Sequence, residues 1–582
     1  MYKGGDSVRI NDVEKITGLT QKAIRLYESR GLISVSREEN GYRNYTEADI
    51  DVLKRIMLYR SIGISLSDIK LCLFGVLSVD EMIEKRKGEI LKESGKNSES
   101  YRVCQSILKN EEWDSQGIGQ AFTEGEEAQT RVHGSLSVGI DVGTTTVSAT
   151  VYDIDNCAQI ESYSIPHNSY VCQGERVEQS VHAILEKAKR LLYHIIDTYG
   201  KIVSIGITGQ MHGIVYVNSE GEAVSPLINW QDKRGDTVLK DGKSACQKIF
   251  EITGEKISTG YGIATHYCNM LNGEVPRDAT GFCSIMDLFA MRICKTKRAV
   301  THASVGASLG LFDVKRGCFM EDKLSLLGIE KSFLPAVTGE STVIGKCEGI
   351  PVSVPIGDNQ ASFLGSVRDN ESSIFINVGT GSQVSAVSDY MEAGGDIELR
   401  PFIEGKYLLC GSALCGGYAY AMLEGFFRSY AKSMGLPEES QYKTMNRLAK
   451  EAYDRGERGL LVDTSFLGKR SEPSIKGSVT GIDHVSFTPS ALTVGVLRGM
   501  CAELHGLYKL FPRKMECAVA SGGAIKKNDT LKVLMSEAFE MPVRLSAENE
   551  EAAIGVALFS AFASGKIKYS NGFFEHIKYM GD

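Results

Sequence analysis

Asp358 has the residue type and the setting of a general base. It stands in "IPVSVPIGDNQASFLGS" (residues 350–366), where an apolar strand pattern ends and Gln360 opens a helical pattern. A carboxylate at the rim of a sheet can take the proton of a substrate hydroxyl as that oxygen attacks a phosphoryl group. The alternative is that Asp358 only caps the helix, which Asp often does.

Two turns rich in glycine and threonine suit phosphate oxygens. Residues 137–153 are "SVGIDVGTTTVSATVYD" and residues 373–390 are "SIFINVGTGSQVSAVSDY", nearly the same phrase with Asp141 replaced by Asn377. Each has the pattern of a β-hairpin. The candidate nucleotide-binding groups are the backbone N–H groups and hydroxyls of Gly143, Thr144, Thr145, Thr146, Gly379, Thr380, Gly381 and Ser382. One copy alone is compatible with an ordinary tight hairpin, whereas two copies favour two related α/β domains that grip a nucleotide triphosphate in the cleft between them.

Two further segments place aromatic or apolar groups beside hydrogen-bonding groups. "GITGQMHGIVYV" is an apolar strand that ends in a polar loop, and "LINWQDKRG" sets an indole beside amide and carboxylate groups. This pairing suits a polyol, whose C–H face stacks and whose hydroxyls need donors and acceptors. Taken singly, such a Trp is more often core and such a His more often structural. The candidate substrate-binding residues are Gln210, Met211, His212, Trp230, Gln231, Asp232 and Gln360.

A fourth segment offers a surface for a flat base. "AVASGGAIKKNDTLKVLMSEAF" is an apolar strand that runs into a glycine turn and then a helix. Glycine has no Cβ, so the backbone can approach an adenine ring closely. The candidate residues are Gly522, Gly523, Ala524 and Asn528.

The first 70 residues differ from the rest in charge and pattern. They contain 12 Lys/Arg against 10 Asp/Glu, whereas the remaining residues carry a net charge of −10. Two helical segments flank a break at Gly18, which is helix-turn-helix spacing, and Asn40-Gly41 is a hairpin signal typical of a wing. The stretches "AIRLYESRGLI", "NGYRNYTEADI" and "LKRIMLYRSIGISLSDIK" resemble the MerR family of transcription regulators over about residues 8–72.

This resemblance implies binding to double-stranded DNA. Residues near the start of the second helix would enter a major groove, and wing residues would touch backbone phosphates. The candidate DNA-binding residues are Thr20, Gln21, Lys22, Arg25, Tyr42, Arg43 and Tyr45. The family also implies a homodimer through a following long helix, although here that pattern is interrupted at residues 95–98. The alternative is a helical cap that uses the same pattern only for packing.

Composition sets the remaining frame. The chain has 582 residues, of which 42% are hydrophobic and 24% charged, values that are ordinary for a soluble protein of several domains. No 18 apolar residues run together and "MYKGGDSVRI" lacks an apolar core, so we expect no membrane span, no signal peptide and a cytoplasmic location. Fourteen cysteines without paired spacing predict reduced thiols.

Residues 136 to about 565 resemble the FGGY carbohydrate kinases. The matching motifs are "GIDVGTTTVSATVYD", "GQMHG", "NWQDKR", "GDNQAS", "NVGTGSQVS" and "SGGAIKKND", all in the family's order. The resemblance implies an α/β fold with two actin- and hexokinase-like (ribonuclease H-like) domains around a cleft, behind a small α-rich winged helix-turn-helix domain. It also implies ATP and Mg²⁺, with Asp141 holding the metal, usually through water, against the β- and γ-phosphates. Asn377 would leave the second hairpin without a metal carboxylate.

The sugar and the domain borders follow from the same resemblance. "GYGIATHY", "RVEQS" and "LLVDTSFLGKRSEP" are closer to sedoheptulokinase than to glycerol kinase or xylulokinase, so we expect a ketose, sedoheptulose first, with xylulose, ribulose and gluconate behind it. Two alternatives are a sugar- or nucleotide-sensing regulator with a weak or inactive kinase part, and an enzyme whose winged helix serves only dimerisation. We predict a MerR-like DNA-binding domain at residues 1–75, a helical segment and polar linker at 76–135, kinase domains at 136–368 and 369–565, and a C-terminal tail at 566–582.

Overall fold

The chain divides into two compact units, which are described separately. The computed structural model describes residues 8–33, 35–37, 43–93, 99–108, 134–390, 395–457, 459–469, 472, 474–548, 550–568, 573 and 575–581. The first unit comprises Met1–Val132 and Arg428–Ser440, and the second comprises His133–Phe427 and Gln441–Asp582.

The N-terminal part of the first unit is helical with one short hairpin. Its elements are α1 (Ile10–Thr17), α2 (Gln21–Ser29), β1 (Ser36–Arg37), β2 (Arg43–Asn44), α3 (Glu47–Ser61), α4 (Leu66–Leu73), α5 (Val79–Glu93) and α6 (Glu99–Leu108). Strands β1 and β2 are antiparallel, with Arg37 opposite Arg43, and the predicted turn Asn40-Gly41 lies outside the described residues. Helix α6 packs against α5, and the two belong to one hydrophobic core with α1 to α4.

Local signals explain where these helices begin and end. Gly18 ends α1 with a φ of 72°, a left-handed conformation that glycine adopts without strain. The Thr20 side chain caps α2 by accepting the N–H of Ala23 at 3.2 Å. Thr46 and Asp49 form a reciprocal capping box at the start of α3. The break between α1 and α2 is therefore fixed by the sequence itself.

The second unit contains two six-stranded sheets and several short strands. The strands between residues 136 and 353, six of which form the first sheet, are β3 (Leu136–Val142), β4 (Thr146–Asp153), β5 (Ala158–Pro166), β6 (Tyr170–Cys172), β7 (Glu178–Gln179), β8 (Ile202–Gly209), β9 (Val215–Val217), β10 (Leu227–Ile228), β11 (Gly281–Cys283), β12 (Val300–His302), β13 (Phe312–Asp313), β14 (Cys318–Phe319), β15 (Ala336–Thr338), β16 (Val343–Cys347) and β17 (Ile350–Ser353). Those that follow are β18 (Ser373–Val378), β19 (Ser382–Ser388), β20 (Ile397–Pro401), β21 (Tyr407–Ala413), β22 (Leu461–Asp463), β23 (Ser478–Thr480), β24 (Cys517–Ser521) and β25 (Val543–Leu545).

Helices cover the sheets of this unit. They are α7 (Val181–Tyr199), α8 (Ala245–Thr253), α9 (Gly262–Asn272), α10 (Ile285–Cys294), α11 (Ala303–Ser308), α12 (Glu321–Leu326), α13 (Asp358–Leu364), α14 (Gly417–Ser433, whose end belongs to the first unit), α15 (Tyr442–Asp454), α16 (Pro489–Tyr508), α17 (Gly523–Lys526), α18 (Asp529–Phe539) and α19 (Glu551–Ala563). Short 3₁₀ helices lie at Arg234–Asp236, Lys331–Phe333 and Ile403–Gly405.

The two large sheets share one strand plan. The first has the order β16-β17-β8-β3-β4-β5 and the second β20-β21-β19-β18-β24-β25. In each, an antiparallel hairpin (β3 with β4, β18 with β19) is flanked by a strand parallel to its first strand (β8, β24). The predicted α/β class with two sheet-containing domains behind a helix-rich N-terminal domain is confirmed.

Glycines bring α13 and α19 into backbone contact beneath the first sheet. A Cβ added at Gly555 would lie 1.8 Å from the carbonyl oxygen of Ala361, and one at Gly365 1.9 Å from that of Glu551. A Cβ at Gly139 of β3 would meet the carbonyl oxygen of Ala553 at 1.8 Å. Only glycine permits these approaches. Helix α13, which begins with Asp358, is thus packed rigidly against the first sheet's hairpin strand through α19.

Other sequence expectations concern membranes, thiols and the chain end. Within the described residues no helix is both long and apolar enough to span a bilayer. All fourteen cysteines lie in the described part and are free thiols. In the segment predicted as a C-terminal tail, Ile577 and Tyr579 are buried, and the carbonyl of Ile577 accepts Arg368 Nη2 at 2.7 Å.

Candidate active site

Asp141 lies at the end of the first sheet beside other carboxylates. It is the penultimate residue of β3, with Ser148 of β4 on one side and Thr208 of β8 on the other. Burial raises the pKa of its carboxyl to about 7, and Asp358 and Glu550 add to the shift. Acidic side chains from three segments therefore act on one another electrostatically, which favours a nearby cation.

Asp358 is the first residue of α13, and backbone contacts fix its position. Gly357 occupies the N-cap and provides no side-chain cap, so Asp358 does not hold the N-cap position considered from the sequence. The N–H of Gly357 donates to Ser304 Oγ at 3.1 Å, and the Thr208 hydroxyl donates to the carbonyl of Ile356 at 2.8 Å. These bonds hold the start of α13 against the end of β8.

The electrostatics of Asp358 combine opposing influences. Burial raises the pKa of the Asp358 carboxyl above its usual value. The Arg400 guanidinium and the N–H groups of Asn359 and of Asp358 itself act in the opposite direction. The first turn of a helix also favours a negative charge. The Asp358 carboxyl is thus buried beside a cation and backbone donors that favour its charged form.

The loop after β8 carries the first group of predicted sugar contacts. Gln210 is buried; its Nε2 lies 3.3 Å from the carbonyl of Gly143 and 3.2 Å from Gln179 Oε1, while its Oε1 has no partner among the described residues. Met211 packs so closely on Gly357 that a Cβ there would lie 2.9 Å from its sulfur. This loop therefore joins the first hairpin to the start of α13.

His212 and Tyr261 form an aromatic wall next to that loop. His212 has a φ of 72°, and its Nδ1 lies 2.7 Å from the carbonyl of Ser308. Its ring stacks on Tyr261 with a centroid separation of 4.4 Å. The hydrogen bond at Nδ1 and the stacking together fix the plane of the His212 ring.

Trp230 links the substrate loops to the first phosphate turn. Its Nε1 donates to Thr144 Oγ1 at 3.1 Å, and its side chain is 46% exposed. Gln231 is exposed and accepts the Tyr170 hydroxyl at 3.2 Å. The Trp230 indole, held by the Thr144 hydroxyl, is therefore accessible for stacking and is not part of the core.

Asp232 and Gln360, also predicted as substrate contacts, are buried and engaged by the protein. Asp232 is 0% exposed and accepts the Arg234 Nε at 2.8 Å and the Val177 N–H at 2.8 Å. Gln360 is 1% exposed and donates from Nε2 to the Pro401 carbonyl at 2.9 Å, although its Oε1 has no partner in the described part of the chain. Both side chains position neighbouring segments.

The second hairpin lies at the N-terminus of α14. The Gly417 N–H donates to the Gly379 carbonyl at 2.9 Å, and the Tyr418 N–H to the Thr380 carbonyl at 3.0 Å. A Cβ at Gly416 would lie 2.5 Å from the carbonyl carbon of Gly381. Ser382 begins β19 opposite Val378. The turn residues Gly379 and Thr380 are exposed. The hairpin thus presents a bare backbone surface.

The glycine turn after β24 meets this hairpin from the other side. Gly522 has a φ of 101° and approaches β18 so closely that a Cβ would lie 2.4 Å from the Val378 carbonyl oxygen. Gly523 and Ala524 begin α17, and a Cβ at Gly417 would lie 3.4 Å from the Ala524 Cβ. Asn528 is buried and caps α18 by accepting the Leu531 N–H at 3.1 Å. The structure thus brings the second hairpin and Gly522–Ala524 together and uses Asn528 as a cap.

Four side chains near Asp358 were not among the sequence predictions. They are Tyr261, Asn359, Gln383 and Arg400. The Asn359 amide donates to Gln383 Oε1 and its Oδ1 accepts the Cys410 thiol at 3.1 Å. Tyr261 stands in "GYGIATHY", one of the segments that resemble sedoheptulokinase, and Arg400 stands in "ELRPF", which has no recognisable motif.

In the helix-turn-helix part, the predicted DNA contacts have different settings. Lys22 and Arg25 are exposed on α2, at whose start Thr20 is the N-cap and Gln21 bonds to Asn11 and Glu14. Arg43 pairs with Glu28 at 2.6 Å. Tyr45, predicted to touch phosphates, is instead 1% exposed; it follows β2, forms an isolated bridge with Val8 and belongs to the hydrophobic core. Tyr42 lies outside the described residues.

Comparisons with known families follow this division of the chain. Residues 136–375 match the N-terminal domain and residues 375–564 the C-terminal domain of the FGGY family of carbohydrate kinases. Residues 8–73 match the MerR HTH family of regulatory proteins.

Individual relatives align over the kinase part. Sedoheptulokinase of Homo sapiens is 24% identical over 473 residues, covering 73% of this chain and 96% of that protein. Xylulose kinase of Staphylococcus xylosus is 21% identical over 451 residues, covering 73% of this chain and 90% of that protein. Ligand-bound xylulose kinase of Lactobacillus acidophilus shares the fold with a TM-score of 0.66 at 20% identity, over 76% of this chain and 92% of that one.

The two halves of the family signature adjoin each other over residues 136–564 and coincide with the two sheet-containing domains. The chain therefore belongs to the FGGY family of carbohydrate kinases, and it is an ATP-dependent sugar kinase that carries a MerR-type helix-turn-helix domain.

Proposed function

We propose that this kinase transfers the γ-phosphoryl group of ATP to a hydroxyl of a ketose, with sedoheptulose as the first choice. The observation that carries the proposal is that Asp358 acts electrostatically on Asp141 at the end of β3, while the loop of Gln210, Met211 and the stacked His212 contacts both Gly143 and Gly357. A carboxylate beside an aromatic, hydrogen-bonding surface supplies what proton removal from a bound sugar needs.

Asp358 is the proposed general base. It accepts the hydroxyl proton while the sugar oxygen forms a bond to the γ-phosphorus and the bond to the β,γ-bridging oxygen breaks, which releases ADP. Its partners Arg400 and the α13 N–H groups stabilise the carboxylate before the transfer. The fixed position of Gly357 keeps the carboxylate aimed at one hydroxyl.

Asp141 is the proposed magnesium ligand. The residues fit such an ion, because burial and nearby carboxylates raise the pKa of Asp141 and a cation would offset that repulsion. Among the described residues no group of three or more His, Cys, Asp or Glu side chains is arranged to hold a metal. Mg²⁺ does not require such a group of protein ligands, since it is usually held by one or two carboxylates together with water and substrate phosphates. When bound, it would neutralise charge on the β- and γ-phosphates.

The remaining nucleotide contacts are proposed to be backbone groups. The turns at Gly143–Thr146 and Gly379–Ser382 would bind phosphates through N–H and hydroxyl groups. Gly522 and Gly523 would face the adenine, because the absence of a Cβ leaves a flat backbone surface. This arrangement puts the sugar on the side of the first sheet and the nucleotide base on the side of the second.

A panel of sugars tests the proposal. Purified protein with ATP and Mg²⁺ is assayed for ADP release with sedoheptulose, xylulose, ribulose, gluconate and glycerol. We expect a higher kcat/KM with a ketose than with glycerol, since the Trp230 and His212 loops offer more polar contacts than a three-carbon polyol can fill. Equal efficiency with glycerol contradicts the ketose assignment. If none of the sugars stimulates ADP release, the sensing regulator is favoured.

The helix-turn-helix part supports a second activity, binding to double-stranded DNA. Exposed Lys22 and Arg25 lie in the first two turns of α2, where a recognition helix reaches bases and phosphates. We propose that the protein binds DNA as a homodimer and so links sugar phosphorylation to transcription. An electrophoretic or anisotropy assay with the protein's own promoter region tests it, and binding no tighter than to random DNA contradicts it.

A further inference from the structure

The first phosphate turn is attached to its domain through three consecutive carbonyl groups. The carbonyl of Gly143 accepts Gln210 Nε2 at 3.3 Å, and that of Thr144 accepts Gln179 Nε2 at 2.8 Å. The carbonyl of Thr145 accepts a backbone N–H at 3.2 Å. Among the described residues, no protein group accepts the N–H of Thr144 or of Thr145. The carbonyls of the turn are thus engaged by the protein, and these two N–H donors are available to a ligand.

The same attachments set the direction of those donors. A peptide unit is planar and trans, so its C=O and its N–H point in opposite directions. The bond from Gln210 to the Gly143 carbonyl therefore orients the N–H of Thr144. The bond from Gln179 to the Thr144 carbonyl orients the N–H of Thr145 in the same way. Two glutamine side chains thus aim the donors of the turn.

Gln179 joins these two glutamines. It is the last residue of β7 and is 0% exposed. Its Nε2 donates to the Thr144 carbonyl and, at 2.9 Å, to Ser169 Oγ. Its Oε1 accepts Gln210 Nε2 and Asn229 Nδ2, each at 3.2 Å. A side-chain amide has two donors and two acceptor sites, so Gln179 uses all four and has one orientation.

The far end of this hydrogen-bond chain has an unused acceptor. Gln210 is 4% exposed, and its Oε1 has no partner in the described part of the chain. A buried acceptor without a partner costs free energy, so a ligand hydroxyl that donates to it is favoured. The next residue, Met211, packs on Gly357, which precedes the proposed base Asp358. The acceptor therefore lies in the loop that contacts the segment of the general base.

The second sugar loop is linked to the same turn. Trp230 Nε1 donates to Thr144 Oγ1 at 3.1 Å, and the preceding residue, Asn229, donates to Gln179. Thr144 is thus held by the indole at the surface and by Gln179 from the interior. Both loops that were predicted to contact the sugar are therefore bonded to the turn that was predicted to contact phosphate.

We infer that Gln179 is a positioning residue that couples sugar binding to nucleotide binding at the first phosphate turn. The inference rests on the proposed function, which puts the sugar at the loops of Gln210 and Trp230 and phosphate at the turn. A sugar hydroxyl bonded to Gln210 Oε1 holds that amide with its Nε2 towards the turn and Gln179. Hydrogen bonds in such a chain strengthen one another. The N–H donors of the turn are then in place when ATP binds.

Coupling and structural support predict different results. A residue that only supports the fold changes the stability of the protein and the affinities for both ligands, but not the effect of one ligand on the other. The coupling factor is the ratio of the nucleotide Kd without sugar to the Kd with sugar. By linkage, the nucleotide changes the sugar Kd by the same factor.

Calorimetric titration measures this factor. The ligands are adenylyl imidodiphosphate, an ATP analogue that is not readily hydrolysed, with Mg²⁺, and the sugar of the panel that the wild type binds most tightly. We expect the sugar to lower the Kd of the analogue about 10-fold or more in the wild type. In Gln179→Met, which has a similar size but no N–H donor, the factor should fall below about threefold, because the bond to the Thr144 carbonyl is lost.

Matched variants keep the test decisive. Gln159 lies on β5 at the opposite end of β4 from the turn and donates to Thr150 Oγ1 at 3.5 Å, so Gln159→Met should keep the wild-type factor. Gln179→Asn serves if Gln179→Met does not fold, as judged by thermal unfolding, because its shorter side chain cannot reach both Thr144 and Gln210. An unchanged factor in either folded Gln179 variant overturns the inference. Failure of both variants to fold also overturns it, since Gln179 would then be a structural residue.

The titrations also separate this inference from the proposed function. If Gln179→Met abolishes the coupling of the wild type, but the wild type shows no sugar-dependent ADP release, the kinase proposal fails and the inference stands. If ADP release is sugar-dependent and the factor is equal in wild type and Gln179→Met, the inference fails and the proposed function stands. A wild-type factor of about 1, or a wild type that binds no sugar of the panel or no analogue, overturns the inference.

Discussion

The two large sheets use one strand plan for two tasks. In each, the penultimate residue of the hairpin's first strand lies beside a residue of the parallel strand, Asp141 beside Thr208 in the first sheet and Asn377 beside Ser521 in the second. A carboxylate at the first position can hold a metal, while an amide at the second adds no negative charge near the phosphates. The two sheets thus share the same backbone arrangement, and the side chain at one equivalent position, Asp141 or Asn377, distinguishes them.

The loops that follow the parallel strands β8 and β24 also differ in the groups that they expose. After β8 the chain presents side chains, with His212 stacked on Tyr261 and Met211 packed on Gly357. After β24 it presents backbone, because Gly522 lies against the Val378 carbonyl. Side chains can read the varied hydroxyls of a sugar, whereas bare backbone suits a flat ring and phosphates. We therefore propose that the first sheet holds sugar and metal and that both hairpins bind the nucleotide.

The largest expected effect is the loss of the general base. Asp358→Asn keeps the shape but cannot accept the proton, so turnover should fall roughly 10²- to 10⁴-fold while nucleotide affinity barely changes. Steady-state ADP release and nucleotide titration measure the two quantities. Asp322→Asn, an exposed acid in the first turn of α12, is the control and should behave as wild type. Near-normal turnover of Asp358→Asn on the true sugar would revive the regulator interpretation.

Making the hairpins alike should weaken nucleotide binding. Asn377→Asp adds a carboxylate near the phosphates, and the repulsion should raise KM for ATP on the order of 10- to 100-fold. Asn377→Ser removes the amide without adding charge and should change KM for ATP by less than about threefold. Initial rates at varied ATP give both values. If the two variants have the same KM, the difference between the hairpins is not electrostatic.

Acid should destabilise the first domain through a buried histidine. His266 is 3% exposed, bonds the Tyr216 hydroxyl at 2.9 Å, and burial lowers its pKa to about 4. The pKa of His266 in the folded protein lies below its usual value. The contribution of neutral His266 to the free energy of unfolding is therefore present above about pH 6.5 and is lost as the pH falls towards 4. At pH 5.5 the loss of stability from this group should be on the order of 1 kcal/mol.

Hydrogen exchange in α9 at pH 7.5 and 5.5, corrected for intrinsic rates, measures this loss. His266→Gln keeps an acceptor for Tyr216 but cannot be protonated, so its protection should depend less on pH than that of the wild type. His505 of the second domain is only partly buried, and His505→Gln should leave the pH dependence of α9 as it is. Equal pH dependence in wild type and His266→Gln would contradict the assignment.

The smallest effect concerns the DNA-binding unit, which should act without the kinase domains' chemistry. Arg25→Ala should lower the magnitude of the slope of log K against log salt by about 0.9. Between 50 and 200 mM salt the variant should therefore lose about 3.5-fold less DNA affinity than the wild type. Sugar turnover should not change. Arg102, exposed on α6 of the same unit, provides the control variant Arg102→Ala. Anisotropy titrations at several salt concentrations measure the slope for each variant. Equal slopes for Arg25→Ala and Arg102→Ala would argue against a phosphate contact at Arg25.

Features set by local pattern could be predicted from the sequence. The two hairpins follow from alternating residues around glycine turns, and the helix-turn-helix break follows from Gly18 and the cap at Thr20. Asp358 was placed at a strand end beside a helix, which the structure has, although Gly357 rather than Asp358 is the N-cap. These features depend on neighbours within a few residues.

Features set by tertiary contact could not be predicted. Arg400 and Tyr261 come near Asp358 only because β20 folds back onto α13 and α9 onto the loop after β8. Whether a polar side chain is free or engaged also depends on distant residues: the Asp232 carboxylate accepts the N–H of Val177, which lies on a separate segment. Tyr45 is buried where it bridges Val8, a residue far from it in the sequence, within the core of the helices.

The division of labour between the hairpins is tested most directly by a Mg²⁺ titration of sugar-dependent ADP release at fixed ATP, with wild type, Asp141→Asn and Asn377→Ser side by side. Loss of a metal-holding carboxylate should raise the Mg²⁺ concentration for half-maximal turnover on the order of 10- to 100-fold in Asp141→Asn. Asn377→Ser, at the equivalent position of the second sheet, should stay within about a factor of two of wild type. Equal Mg²⁺ dependence in Asp141→Asn and wild type, or an equal shift in both variants, would contradict the account.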